Sequence, residues 1–487
     1  MKDGKINISE IEDWVRKHEA ELLDDLAMLV SIRSVSEPDA AVKPYGMGCR
    51  EALKAMLELG EKYGFYSQNY DYHFGSIALR PEQEPVKKVG IWTHLDVVEE
   101  GGGWTWPPYQ MTRVEEYLIG RGIQDNKGPV MGALYVLRYL KENAKSLGLR
   151  NNYLLYMGCS EENGMQDMDY FISHYQPPGF NLVADCAFPL GHGEKGHLNI
   201  LFYKTLPQGG DVLEFTAGSS INSIPSEARI LLKEVPGRYE ALAEAAASES
   251  RIVVSEAENG IAVKASGRAK HVGFPEGSIN ALYVLSKFLM KADILAEEET
   301  VLMEFLNKIN ADVQGHGAGV ADEDPISGCV YGALTVVRKV DDQIQMHADY
   351  RYPIFGSGGL VMGEKLKKTA AAFGCGMEIE KDSPPYYRKK EDPNVQAVMK
   401  TYQRITGSIS EPFTISGGTY ARKLPNAVSY GMSLETKKIY QDPERMGESG
   451  DCHQPDESQH LEQLKEGIVI YIATLAALDK MEEASDE

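Results

Sequence analysis

Apolar residues recur at helical spacing through 8–33, at Ile11, Trp14, Val15, Leu22, Leu23, Leu26, Leu29 and Val30, behind the candidate cap Ser9. The chain therefore opens on a predicted helix. A second helical pattern covers 50–63, and after Gly64 short alternating runs lead to Lys88–Thr93, which reads as a short buried strand. The loop 119–127 leads into a predicted helix, Gly128–Asn143, and Asn152–Met157 and Asn181–Ala184 read as two further strands. Strands alternating with helices over the first 190 residues predict an α/β layer with a largely parallel sheet, the kind that gathers ligands at the carboxyl ends of its strands.

Between about 195 and 385 the pattern changes. Asp211–Thr216, Glu227–Lys233, Arg251–Val254 and Gln343–Tyr350 look like solvent-facing strands, mixed with helices at 237–248 and 280–291. This predicts an inserted α+β domain. Helical spacing returns at Val395–Thr406 and Leu461–Met481, and the acidic tail Glu482–Glu487 reads as disordered. The expected fold is α/β with two domains: an α/β/α domain with a mostly parallel sheet, built from 1–193 and 386–487, and an insert over 194–385. A length of 487 residues exceeds one typical core and fits that division.

Composition narrows the functional classes. Apolar content of 43% with 25% charge belongs to a globular chain. The net charge of −22, from 72 acidic against 50 basic side chains, opposes binding to nucleic acid phosphates or anionic membranes. The stretch Met1–Glu10 lacks the apolar core of a signal peptide, and Ile468–Leu478 is too short for a membrane span and reads as a buried helix. Six scattered cysteines form neither a disulfide framework nor a CxxC zinc module, so a reducing cytoplasm is the expected location.

The chemistry gathers where predicted strands end. Lys88–Thr93 runs into His94-Leu95-Asp96, an imidazole followed by a carboxylate that could fix its tautomer. Gly120-Arg121-Gly122-Ile123-Gln124-Asp125 delivers one carboxylate at a helix start. Asn152–Met157 leads into Glu161-Glu162, two adjacent acids that are costly to crowd without cations or a shared proton. Asp185 follows the next strand, and His453 supplies a second imidazole from far down the chain. Each has an ordinary structural reading when taken singly: a satisfied strand-end histidine, a helix cap, a solvated acidic turn, a capped turn, a surface histidine. Together they offer two histidines and three carboxylates as ligands, a mixed N/O set suited to Zn²⁺, Mn²⁺ or Co²⁺. Two ions about 3.5–4 Å apart need a bridging carboxylate, an acid and a histidine each, and a base for the trapped water. The inventory matches.

In this order the motifs resemble the co-catalytic metallopeptidase family of aminoacylase, carboxypeptidase G, succinyl-diaminopimelate desuccinylase and carnosinase. The residues that carry the resemblance are His94-Leu95-Asp96-Val97-Val98, Gly120-Arg121-Gly122 with Asp125 and Lys127-Gly128, Glu161-Glu162, Asp185 and His453. Chain length, the long insert and Ser416-Gly417-Gly418-Thr419-Tyr420-Ala421-Arg422 resemble the bacterial dipeptidase V and Sapep-like branch. The resemblance implies two divalent metal ions, Zn²⁺ or Mn²⁺. Asp125 would bridge them, with His94 and Asp185 on one and Glu162 and His453 on the other. It further implies that Asp96 orients His94, that Glu161 is the general base toward a metal-bridging water, and that a cis peptide follows Asp125. In the insert, which would act as a lid on the catalytic domain, it assigns Asn222 to substrate, His271 to the developing oxyanion, and Arg351 with Gly418 and Thr419 to the substrate's terminal carboxylate. A long insert would supply His271 within one chain, so a monomer acting on small peptides is expected, without nucleic acid or membrane partners. Dipeptide hydrolysis is the implied activity; N-acyl-amino-acid deacylation and silent metal or peptide binding are the rivals. The chain departs from the family after Val98, where Glu99-Glu100-Gly101-Gly102-Gly103-Trp104 replaces a proline and a single glycine, predicting a longer loop. Cys159, Cys186 and Cys452 each lie within two residues of a proposed site residue; they read as small space-filling residues, or alternatively as thiols that converge in the metal-free protein.

Overall fold

A computed structural model describes residues 6–444 and 449–481, so the predicted acidic tail lies outside the described residues. The chain divides into two compact units, one of Met1–His192, Arg388–Phe413 and Gly418–Glu487, the other of Gly193–Tyr387 and Thr414–Gly417. No periodicity in the sequence marks the last short segment.

In the first unit the sheet runs in the order Tyr66–Tyr70, Phe74–Ala78, Asn152–Gly158, Lys88–His94, Phe180–Val183, Ala427–Ser429. The last four strands are parallel to one another, and the hairpin formed by the first two adds an antiparallel edge. Strand Asn152–Gly158 is buried at every residue and Lys88–His94 at all but the first, as expected of parallel strands covered on both faces. Flanking helices include Met47–Lys62, Lys127–Glu142, Pro393–Thr406 and Leu461–Met481. Helix Pro393–Thr406 shows how local sequence sets such elements. Asp392 accepts from the backbone N–H of Asn394 (2.9 Å), Pro393 takes the first turn, and Gly407 ends the helix at a φ of +71°. Leu461–Met481 packs against Lys127–Glu142 and buries Ile468, Ile470, Tyr471, Ile472 and Leu475 in the core.

The start of the chain differs from prediction in detail: the cap position is Asn7, and Ser9 lies inside the first turn. The opening helix is two helices, Ile8–Lys17 and Glu19–Val30. They break at His18, whose ring stacks on Trp14 at 4.1 Å and whose Nδ1 lies 2.8 Å from the Trp14 carbonyl oxygen, sharing that acceptor with its own N–H.

The second unit is α+β. Its antiparallel sheet runs Ile252–Ala257, Gly260–Ser266, Glu227–Leu232, Val212–Ala217, Tyr331–Val340, Gln343–Tyr352, Gly196–Thr205, Gly376–Ser383. Helices Ala281–Ala292, Glu297–Ile309 and Gly358–Ala372 belong to the same unit. Strand Gly196–Thr205 alternates strictly, burying Leu198, Ile200 and Phe202 in a core of this unit's own. No helix among the described residues is long and apolar enough to cross a membrane.

Candidate metal centre

The sheet register assembles most of the site. His94 is the last residue of its strand and pairs with Gly158, while Trp92 pairs with Val183 on the other side. Three neighbouring parallel strands therefore end together, which places His94, Glu161 with Glu162, and Asp185 around one point at their carboxyl ends. Asp125 reaches the same point from the start of helix Lys127–Glu142, through a cis Asp125–Asn126 peptide. Asn126 ties the pieces: its Oδ1 accepts from the His94 backbone N–H (3.4 Å), and its Nδ2 donates to the Ala184 carbonyl (2.9 Å) and to Asp185 Oδ1 (2.8 Å).

Asp125 lies between the two imidazoles. Its Oδ1 is 3.0 Å from His94 Nε2 and its Oδ2 is 3.2 Å from His453 Nε2. Beyond them, Asp185 Oδ2 is 3.8 Å from His94 Nε2, and Glu162 Oε1 is 2.9 Å from His453 Nε2. His94 Nδ1 faces the Asp96 carbonyl oxygen at 2.9 Å and its carboxylate at 3.4 Å, which puts a ring proton on Nδ1 and makes Nε2 the atom that could meet a cation. Asp96, fully buried, does more than flank the ring. Its two carboxylate oxygens accept from the backbone N–H groups of Glu161 (3.1 Å) and Glu162 (3.0 Å), fixing the loop that carries both acids.

The electrostatics are those of crowded acids. Burial pushes the Glu161 carboxyl well above its ordinary range, and the neighbouring charges of Asp185, Glu162 and Asp125 add to the push. Burial likewise raises Glu162 and Asp185. For Asp125, hydrogen bonds from His453 and His94 outweigh burial and hold it well below the carboxylate range. Both histidines are raised: His453 by the charge of Glu162 above all, and His94, against the effect of burial, by hydrogen bonds to Asp125, Asp185 and Asp96.

This set fits divalent cations. Ligand atoms of His94, Glu161 and Asp185 lie within 4.8 Å of one another, as do those of His94, Asp125 and Glu162. Glu161 Oε1 is buried without a hydrogen-bond partner, an acceptor aimed at nothing the protein supplies. Four carboxylates and two imidazoles this close together, most of them only partly exposed, need cations or shared protons among them.

Sequence pattern missed a second layer of residues. Asp167, buried, accepts at Oδ2 from the backbone N–H groups of Cys159 and Ser160 (2.7 Å each) and from the Tyr420 hydroxyl (2.5 Å), so it holds the strand end just before Glu161. Burial pushes its carboxyl up to about 7. Tyr420→Phe is expected to cost about 1–3 kcal/mol of stability by leaving Asp167 short of a donor, with a loss in kcat and little change in KM; urea unfolding and steady-state kinetics check this. The only sequence signal would have been an acid six residues beyond Glu161, which is too common to use. The loop 99–104 is anchored by Glu100, which pairs with Arg33 (3.1 Å) and Tyr109 (2.8 Å). Cys159 packs with Cys49, each thiol facing the other's carbonyl at 3.9 and 3.6 Å, and all six cysteines are free thiols. The convergence imagined for Cys159 with Cys186 and Cys452 thus has a nearer competitor, contributed by helix Met47–Lys62.

In the second unit, Asn222 and His271 lie on paired segments: Ser223 bridges His271, and the Val272 N–H donates to the Asn222 carbonyl at 2.9 Å. His271 Nδ1 accepts from the Gly273 N–H at 3.0 Å, so the ring proton sits on Nε2. Arg351 is 6% exposed, its Nε and Nη2 held by the Asp349 carboxylate (2.6–3.1 Å) and its Nη1 by the Ser416 carbonyl (3.0 Å) and the ring of His197. That contact fixes the segment immediately preceding Gly418 and Thr419. In the first unit, the Thr419 hydroxyl accepts from the Ala421 N–H (3.1 Å) and meets the Ser429 hydroxyl at 3.0 Å.

Known proteins share this arrangement of chain and fold. Residues 90–477 match the model of peptidase family M20/M25/M40. A Staphylococcus haemolyticus protein provisionally named a dipeptidase is 27% identical, covering 96% of this chain and 99% of its own. YtjP of Bacillus subtilis, provisionally named likewise, is 26% identical over 96% and 98%. Among solved structures, human carnosine dipeptidase 1 superposes with a TM-score of 0.58 at 14% identity, covering 98% of this chain and 99% of that one. The yeast di-peptidase Dug1p gives 0.58 at 12% identity over 97% and 99%. Both structural likenesses concern the fold.

Proposed function

The chain belongs to peptidase family M20/M25/M40, and on that premise we propose that it is a metal-dependent dipeptidase. One observation carries the reading: the Asp125 carboxylate stands between His94 and His453, one oxygen toward each, with Glu161 buried beside them. The names of the full-length relatives support dipeptides as the substrate class.

In this reading His94 and Asp185 would hold one divalent cation, Glu162 and His453 the other, and Asp125 both; Zn²⁺ and Mn²⁺ each suit the donor set. Bound there, the cations would acidify water and polarise the scissile carbonyl. Glu161 takes the proton of the attacking water and later returns it to the leaving amine. Asp96 keeps the His94 proton on Nδ1 and the Glu161–Glu162 loop in place. His271, with its proton on Nε2, donates to the carbonyl oxygen as charge develops. Arg351, steadied by Asp349, binds the substrate's terminal carboxylate together with Gly418 and Thr419, and Asn222 contacts the substrate. The proposal includes action as a cytoplasmic monomer.

The test is hydrolysis of Ala-Ala, β-Ala-His, Ala-Ala-Ala and N-acetyl-alanine by chelator-stripped protein with Mn²⁺ or Zn²⁺ restored. Cleavage confined to the dipeptides, and dependent on metal, is expected. Cleavage of N-acetyl-alanine alone would make the protein a deacylase. No cleavage with both metals bound would leave a binding protein.

A further inference from the structure

On the metal reading above, we infer that Glu457 is a positioning residue that holds the turn carrying Asp125 and so sets the carboxylate between the two histidines. Glu457 is 1% exposed and lies four residues beyond His453, yet its carboxylate is spent wholly on a segment more than 330 residues earlier. Oε1 accepts from the backbone N–H groups of Gln124 (2.9 Å) and Asp125 (3.0 Å). Oε2 accepts from the Gly122 N–H (3.0 Å) and from Arg121 Nη1 (2.7 Å). The Glu457 carbonyl also accepts from the Gly120 N–H at 2.9 Å. Gly122 sits at a φ of +81°, and the turn it makes brings the N–H groups of Gly122, Gln124 and Asp125 inward around one carboxylate.

The N–H of Asp125 is itself one of the donors, so the position of that residue's backbone is set directly by Glu457 rather than by the helix that follows. The segment that carries His453 is also locked to the segment that carries Asp125, since Gln124 Nε2 donates to Asp451 Oδ1 at 3.1 Å. The spacing between the Asp125 carboxylate and the His453 imidazole is thus built into the protein before any cation arrives. Besides pairing with Glu457, Arg121 serves a second segment. Its guanidinium lies over Trp104 at 5.1 Å and its Nη2 faces the carbonyls of Glu99 and Glu100 at 3.4 and 3.3 Å, which steadies the neighbouring loop.

Glu457→Gln keeps the side-chain shape but sets an amide N–H₂ against backbone N–H donors. Mn²⁺ affinity, measured by calorimetry on folded, metal-free protein, is expected to weaken about 10–100-fold, the usual effect of removing a group that orients metal ligands. Arg121→Lys keeps a cation beside Glu457 and the three backbone donors on it, and is expected to change the affinity far less. Unchanged Mn²⁺ affinity in Glu457→Gln, or an equal loss in Arg121→Lys, would overturn the inference; a lowered melting temperature alone would mark Glu457 as merely structural. Hydrogen exchange of the 119–126 segment in metal-free wild-type protein decides the matter even if Glu457→Gln does not fold. Protection of the Gly122, Gln124 and Asp125 amides without metal is expected, and exchange within seconds would overturn the inference. Failure of the metal reading looks different: wild-type protein would then take up no pair of Mn²⁺ ions.

Discussion

Glu161→Ala is expected to abolish turnover, by about 10²–10⁴-fold or more in kcat, while the protein still takes up both metal ions. The geometry of this residue contains a conflict. Glu161 lies within ligand reach of His94 and Asp185, so its carboxylate could bind an ion as well as a proton. Three features favour the proton. Its Oε1 has no protein partner, its burial among other acids raises its proton affinity, and Glu162 beside it already meets His453. Removing Glu161 takes one negative charge from a crowded cluster and leaves Asp125, Asp185, Glu162 and both imidazoles in place. Metal analysis of the purified variant together with kcat on the best dipeptide of the panel separates the two roles. Metal loss as large as that caused by losing a histidine would make Glu161 a ligand and would leave the base unassigned.

His453→Ala is expected to lower the metal content from two ions per chain toward one and to remove most activity with it. His453 Nε2 meets Glu162 at 2.9 Å and Asp125 at 3.2 Å, and on the proposed reading it is the imidazole that serves the second ion. Without it, the partly buried carboxylates of Glu162 and Asp125 would offer that ion no nitrogen donor, a poorer site for Zn²⁺ or Mn²⁺. The His94 side keeps Asp185 and Asp125 and should retain its ion. Titration of metal-free variant with Mn²⁺, read as stoichiometry, checks this. Retention of two ions with wild-type affinity would show that His453 lies outside the ligand set.

The candidate residues of the site were legible as a set rather than one by one, and most of them for a common reason. His94, Glu161 with Glu162, and Asp185 stand where apolar strand runs stop, and a polar residue at that point is visible in any single sequence. Asp125 was marked by a glycine-bounded turn ahead of a helical run. His453 had only its residue type and the ordered motifs to mark it. Asn126, Asp167 and Glu457 were not legible at all, because what they do depends on partners up to 336 residues away and not on any local period.

By itself the sequence determined the periods and the kinds of chemistry: a largely parallel layer from strands alternating with helices, an α+β insert from solvent-facing strands, and a donor set of imidazoles and carboxylates. Those properties are local, since side-chain burial and backbone capping are decided within a few residues. Only the tertiary structure decided that three strand ends share one register, that Asp125 presents one oxygen to each histidine, and that Asp96 and Glu457 clamp the loops that carry the ligands. Such convergence is a property of packing, in which buried N–H donors must find acceptors wherever the fold brings them, and no spacing along the chain records which acceptor that is.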